Sequence, residues 1–344
     1  MAQLAQATMP FLETLRSIRM PWLTAFFNTL TFLGDEKLFV VIAMIVLWCV
    51  SKRGGLYMLT VGFSASSIGQ TLKMLFRIPR PWILGNNPDI ADNAARFAST
   101  DAGEGISTLR RLISKFMGGG ANSWSFPSGH TLISVGTYGS MAAWFKSGWL
   151  KTIGILLAVL VPFSRLYLGV HTPVDILGGA LVALLLLLLL RPVFASDDAG
   201  RVRAVLIGNV VLTGMLLALM YLARPGDLAG EDMQRYCSGL KDLWQLLGAT
   251  LALVIAFEAD ERWLHYETRA VWLAQLLKIA GGSLIVLGIQ LGVQKLLGYD
   301  SSALTLDNVT RMGMVACLAN LLAITAGAAV WPLTFKKFAA IGKQ

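Results

Sequence analysis

Charge is what this chain has least of: 14% of its 344 residues are Asp, Glu, Lys or Arg, against about 25% in an ordinary soluble domain. That shortage excludes a disordered protein and an ordinary cytosolic enzyme, since both need a polar surface. Cysteine is nearly as scarce. Cys49, Cys237 and Cys317 stand far apart with no metal or redox spacing, which excludes a disulfide-stapled secreted domain. Cys49 and Cys317 lie in apolar runs and read as small packing residues. No cleavable signal peptide is expected, because Glu13, Arg16 and Arg19 interrupt the N-terminal stretch before it becomes apolar enough.

What is present is apolar. Hydrophobic residues make up 55% of the chain and the mean hydropathy is +0.63, the signature of a polytopic membrane protein. Its 34 glycines suit helices that approach closely in lipid. The fold class expected is all-α, a membrane helical bundle of about nine spans of about 20 residues each. The spans fall near 36–51, 55–76, 128–146, 150–170, 173–191, 204–222, 243–258, 272–297 and 310–335. Those at 36–51 and 243–258 are the weakest, and 174–190, ending in seven leucines, is the clearest. Residues 1–35 read as an amphipathic interfacial segment, with apolar Leu12, Leu15, Met20, Leu23, Phe26, Phe27 and Leu30 beside Glu13, Arg16 and Arg19. A core at 36–192, a polar linker at 193–203 and a four-helix extension at 204–344 complete the organisation. The long polar connection 77–122 keeps helical spacing at Leu109, Leu112, Ile113 and Phe116.

The net charge is +9, but the bases are scattered between apolar runs, so they read as span flanks beside anionic lipid and no nucleic-acid partner is expected. Orientation follows from the same bases. One set of connections holds twelve: Lys52, Arg53, Lys146, Lys151, Arg191, Arg201, Arg203, Arg262, Arg269, Lys336, Lys337 and Lys343. The other, setting aside the long loop 77–122 and the site residues argued below, holds eight: Arg16, Arg19, Lys37, Arg224, Arg235, Lys241, Lys295 and Arg311. The first set is assigned to the cytoplasm. The expected location is the plasma (inner) membrane.

Three segments hold polar groups that membrane burial disfavours: Lys73-x6-Arg80-Pro81, Pro127-Ser128-Gly129-His130, and Ser164-Arg165-x5-His171-x3-Asp175. On the span count all three lie at one face, outside the cytoplasm, and they contain two of the three histidines. Lys73, Arg80 and Arg165 suit a phosphate dianion. Ser128 and Gly129, just ahead of a helix, offer a hydroxyl and backbone N–H groups to the same anion. His171 precedes a helix opened by Pro173, with Asp175 in its first turn, so the carboxylate can hold one imidazole nitrogen and free the other for attack. His130 is then available to protonate a leaving oxygen. One basic residue at a span end is usually a snorkelling flank and one proline a helix stop. Independent flanks do not, however, produce three same-side clusters of this composition.

These patterns resemble the three signature motifs of the type 2 phosphatidic acid phosphatase superfamily, meeting eleven fixed residues in order across roughly 36–192. The resemblance implies a helical-bundle core and a metal-independent phosphohistidine mechanism with no cofactor. It implies His171 as nucleophile, Asp175 as its orienting partner and His130 as general acid. Lys73, Arg80, Ser128, Gly129 and Arg165 would bind phosphate. A nine-span layout with an outside N-terminus is similar to the sphingosine-1-phosphate phosphatase and glucose-6-phosphatase branch, although Asp175 speaks against the glucose-6-phosphatase form of the third motif.

The activity expected is hydrolysis of a lipid phosphate or diphosphate, with membrane lipids as neighbours. Alternatives left open are a phosphotransferase and a phosphatase of a small soluble ester. A transporter lacks support in broken midplane helices or related halves, and the soluble haloperoxidases of the superfamily are excluded by composition. The second half holds no comparable cluster. His265 reads as a surface histidine, and Asp227, Glu231, Asp232 and Arg235 as solvated loop charge. The four added helices brace the core, form a homodimer surface or line a lipid groove, alternatives the sequence leaves open.

Overall fold

The computed structural model describes residues 1–92, 123–300 and 304–340, and within them the chain is helical with no strand. The helical spacing expected around Leu109 to Phe116 lies outside the described residues. The helices are α1 (Ala2–Ala7), α2 (Met9–Ser17), α3 (Pro21–Leu30), α4 (Glu36–Cys49), α5 (Lys52–Phe76), α6 (Pro81–Leu84), α7 (Gly129–Ser134), α8 (Ser140–Trp144), α9 (Gly148–Tyr167), α10 (Pro173–Phe194), α11 (Ala199–Leu222), α12 (Gly230–Ala259), α13 (Trp272–Leu296), α14 (Val309–Thr325) and α15 (Phe335–Ala340). A π-helical turn, Val135–Gly139, joins α7 to α8.

Among the described residues six helical stretches are long and apolar enough to cross a membrane: α9, α10, α11, Gly230–Leu264, α13 and Val309–Lys337. The three other expected spans are helical too, and each differs from those six for its own reason. α4 has 14 residues, which at 1.5 Å per residue falls short of a bilayer core of about 30 Å. α7 to α8 is a short run interrupted by its π turn. α5 has 25 residues but carries Thr60, Ser64, Ser67, Gln70 and Thr71. The 243–258 stretch, weak in sequence, lies inside α12, a helix of 30 residues.

The chain divides into two compact units: Met1–Val40 with Leu72–Leu187, and Val41–Thr71 with Leu188–Gln344. In the second unit, α12 packs along α14 and α11, and α13 against α14. The polar face of α5 is spent on neighbouring helices. Ser64 Oγ donates to Asn209 Oδ1 (2.8 Å), Ser67 Oγ pairs with Thr213 Oγ1 (3.1 Å), and Gln70 donates to Asp242. Polar pairs of this kind hold helices together where lipid offers no hydrophobic drive. His265 is exposed. Cys237 is the fully buried cysteine, with Cys49 and Cys317 partly exposed.

In the first unit, α9 is the central support, touched by α2, α3, α7, α8 and the turn Thr31–Gly34. The N-terminal stretch forms separate short helices. Pro21 holds Met20 extended (φ −121°, ψ 142°), which breaks the helix between α2 and α3. One face buries Leu12, Leu15, Phe27 and Leu30 against Val161, Tyr167 and Val170. The other exposes Phe11, Ile18, Trp22 and Phe26.

The turn after α9 is fixed by Gly169. Its φ of +68° is left-handed, and an added Cβ would lie 1.9 Å from Ile90 O. That carbonyl accepts from Arg19 Nη2 (2.6 Å), and Arg19 Nε donates to Tyr167 O (2.8 Å). Gly169→Ala should therefore cost about 1–3 kcal/mol of stability through strain and displaced backbone. Thermal unfolding of the purified protein in detergent reads this as a lowered midpoint, and an unchanged midpoint would contradict it.

Candidate active site

Each motif sits where a helix begins or ends. Lys73 is in the last turn of α5, and Arg80 directly precedes Pro81, the first residue of α6. Ser128 is the N-cap of α7, its Oγ accepting from Thr131 N (3.4 Å), so the hydroxyl oxygen expected to face phosphate also caps the helix. Arg165 is in the last turn of α9. His171 lies in the connection to α10, and Asp175 is in that helix's first turn. Gly178 and Gly179 of α10 leave space that Phe126 and the Ser128 carbonyl fill, which brings the second motif against the third.

All eight residues singled out in the sequence fall in the first compact unit. Arg80 joins several of them. Its Nη1 lies 2.8 Å from His171 Nε2 and donates to Val170 O (3.0 Å). Its Nε donates to Ser123 O (2.9 Å) and its Nη2 to Ser123 Oγ (3.2 Å), a hydroxyl that Lys73 Nζ also approaches at 3.5 Å. An added Cβ on Gly129 would be 3.4 Å from Lys73 Nζ, so the backbone of the second motif lies beside that ammonium. The charges of Arg165, Arg80 and Lys73 all reach His130.

The proton on His171 follows from its partners. A guanidinium only donates, so Nε2 accepts and Nδ1 carries the hydrogen. Nδ1 faces Asp175 Oδ2 at 3.5 Å and Ser125 Oγ at 3.4 Å. Ser125 Oγ donates to Asp175 Oδ2 (2.6 Å), as does Thr172 N (2.7 Å). Burial first, then the charges of Arg80, Arg165 and Lys73, push the imidazole well below its usual range. His171 is therefore neutral, with the Nε2 lone pair directed at Arg80. An electron pair beside a guanidinium suits attack on an anionic phosphorus centre.

Four contributors carry no signal in the sequence. Ser123 and Ser125 are single small polar residues next to a motif. Thr31 and Gly34 are far from it in the chain. Arg165 Nη1 donates to Thr31 Oγ1 (2.6 Å). At Gly34 an added Cβ would meet Val161 Cγ1 at 2.7 Å and the His130 Cβ and Cδ2 at 3.2 Å. Among the described residues, no three His, Cys, Asp or Glu side chains gather as a metal site would need.

Residues 54–198, which contain all eight, match the PAP2 superfamily. The chain is 26% identical over 263 residues to a probable sphingosine-1-phosphate phosphatase of Dictyostelium discoideum, covering 74% of this chain and 57% of that protein. It is 30% identical over 187 residues to phosphatidylglycerophosphatase B of Bacillus subtilis, covering 51% of this chain and 76% of that one. An undecaprenyl-diphosphatase of Sulfolobus acidocaldarius is 44% identical over 59 residues, 17% of this chain and 28% of its own. The match thus spans less than two thirds of the first and third of these relatives. No solved structure matches the chain.

Thr31→Val removes the hydroxyl that holds Arg165 and nearly conserves shape. A hydrogen bond to a charged group contributes about 1.5–3 kcal/mol, so affinity for vanadate should weaken about tenfold or more. Titration of the purified variant tests this, and wild-type affinity would show that Thr31 does not hold Arg165 for an anion.

Proposed function

Because the chain belongs to the PAP2 superfamily, we propose that it is a multi-pass membrane phosphatase that hydrolyses a lipid phosphate or diphosphate through a phosphohistidine. The observation that carries the proposal is the buried pairing of His171 Nε2 with Arg80 Nη1 at 2.8 Å, because it fixes the lone pair beside a phosphate-binding cation. The reaction runs in two steps. His171 Nε2 attacks phosphorus, the N–P bond forms and the bond to the leaving oxygen breaks, while His130 delivers a proton to that oxygen. Arg80, kept in place by Ser123, exchanges its Nη1 contact with Nε2 for the phosphoryl oxygens, which Lys73 and Arg165 also bind. Water then gives its proton to His130 and attacks phosphorus, and the N–P pair returns to Nε2. Asp175 stabilises the imidazolium-like ring during both steps.

A lipid substrate is supported by the names of the relatives and by the membrane-spanning composition around the site. The charge bias among the connections supports a site outside the cytoplasm. No step needs a metal, and three clustered cations would repel one.

One experiment tests the whole reading: phosphate release by the purified protein from long-chain and short-chain lipid phosphates, isoprenyl diphosphates and soluble esters, with EDTA present. Turnover should persist in EDTA and fall as the chain shortens, since each buried CH₂ contributes about 0.8 kcal/mol. His171→Ala should lose both turnover and acid-quenched phosphoenzyme label. Label that survives in His171→Ala and vanishes in His130→Ala would reverse the two roles. Equal kcat/KM for soluble esters would replace the lipid by a small phosphate ester.

A pH profile follows from the neutral imidazole. Nucleophilic His171 requires the unprotonated form, whose population grows as pH rises through the folded pKa. Since that pKa is pushed below the usual value of about 6.5, the His171 acid limb of kcat/KM should lie below about pH 6.5. An acid limb assigned to His171 above that pH would contradict the assignment.

A further inference from the structure

We propose that Ser125 is a positioning residue that carries the link between His171 and Asp175. The proposal rests on the phosphatase reading above for its kinetic consequences, but not for its geometry. The direct His171 Nδ1 to Asp175 Oδ2 separation is 3.5 Å, long for a charge-assisted N–H···O bond of about 2.7–2.9 Å. Ser125 Oγ stands between them, 2.6 Å from Oδ2 and 3.4 Å from Nδ1. A carboxylate only accepts, so the proton of the short bond is the serine's own. That uses the single hydroxyl hydrogen and leaves the oxygen lone pairs to face the Nδ1–H. The chain of donation is therefore His171 Nδ1–H to Ser125 Oγ–H to Asp175 Oδ2, with Oδ2 as a second acceptor of the imidazole hydrogen at 3.5 Å.

Ser125, Asp175 and His171 are buried, with exposures of 0, 0 and 2%, so the protein itself must satisfy these groups. Asp175 Oδ1 has no hydrogen-bond partner among the described residues, and the carboxylate is held through Oδ2 by Ser125 Oγ and Thr172 N. Without Ser125 one of those two holds is gone and the Nδ1 side of the imidazole keeps only the 3.5 Å contact. The serine is itself fixed. Its N–H donates to Ile78 O (2.8 Å), in the segment that carries Arg80. One residue thus ties the Arg80 segment to the carboxylate that sets the ring. Arg80 fixes the Nε2 side of the imidazole and Ser125 fixes the Nδ1 side.

The test has a readout that does not depend on turnover. The chain contains three histidines, so selective ¹⁵N-histidine NMR resolves each ring, assigned with His130→Gln and His265→Gln. Wild-type His171 should show the Nδ1–H tautomer, and Ser125→Ala should keep it, since Arg80 still donates to Nε2, but with the Nδ1–H resonance shifted and its exchange with solvent faster at an unchanged melting temperature. Kinetically, Ser125→Ala should lose about 10–100-fold in kcat. KM and vanadate inhibition should hold, because Lys73, Arg80 and Arg165 are untouched. Ser125→Thr, which restores a hydroxyl, should recover most of the rate. In an Asp175→Asn background Ser125→Ala should cost little more, since both act through one proton. A Ser125→Ala protein with the wild-type His171 spectrum and wild-type kcat overturns the proposal. So does full multiplicativity with Asp175→Asn, which also decides the matter if Ser125→Thr fails to fold. A wild type that turns over nothing would overturn the phosphatase reading alone, and the Nδ1–H resonance of His171 would still judge Ser125.

Discussion

A guanidinium buried to 6% exposure must have its hydrogens accepted by the protein. Arg80 meets that demand with Ser123 O, Ser123 Oγ, Val170 O and His171 Nε2. Those acceptors come from two chain segments far apart in sequence, one just before α7 and one between α9 and α10. Because the donors form a rigid planar fork, accepting them fixes both segments relative to the end of α5. A lysine at the same place would offer a point charge and no such geometry. The need to satisfy one buried cation therefore also fixes the place of the reacting imidazole.

The same device recurs at the N-terminal edge of the first unit. Arg19 donates to Tyr167 O and Ile90 O, Tyr167 Oη accepts from Met20 N, and Arg165 reaches Thr31. Residues 1–40 precede the family match at 54–198, yet they belong to the unit that carries the site. Their apolar residues Leu12, Leu15, Phe27 and Leu30 supply the packing, and their polar residues tie the last turn of α9 and the turn after it. An element read from composition as an interfacial segment also forms part of the wall beside Arg165 and His130.

The three motifs were legible because each combines chemically costly residues at fixed spacing next to a helix end. Pro81, Pro173 and the Ser128 cap mark those ends by local physics alone. Helix existence was legible for the same reason, from long apolar runs such as the leucines of α10. What composition could not show is how α5 tolerates Ser64, Ser67 and Gln70. Their partners Asn209, Thr213 and Asp242 lie more than a hundred residues away. Ser125, Thr31 and Gly34 were illegible on the same ground. A lone small residue has no periodicity, and its importance comes only from what tertiary packing sets against it.

Electrostatics explains why such small residues matter here. Lys73, Arg80 and Arg165 outnumber Asp175 three to one around the site, and Arg165 is 5% exposed with its Nε lacking a hydrogen-bond partner among the described residues. Holding these charges in a poorly solvated place is unfavourable until an anion enters. Under the proposed reaction a phosphoryl group supplies both the missing acceptors and the countercharge. The interaction strengthens further as negative charge grows in the transition state. That gain requires donors already fixed in place, since a side chain that must reorient gives part of the energy back. Thr31 for Arg165, Ser123 for Arg80 and Ser125 for the His171–Asp175 pair are the contacts that keep the charged groups from relaxing. The residues with chemistry set what the site can do, and the hydroxyls behind them set how much of that potential is realised.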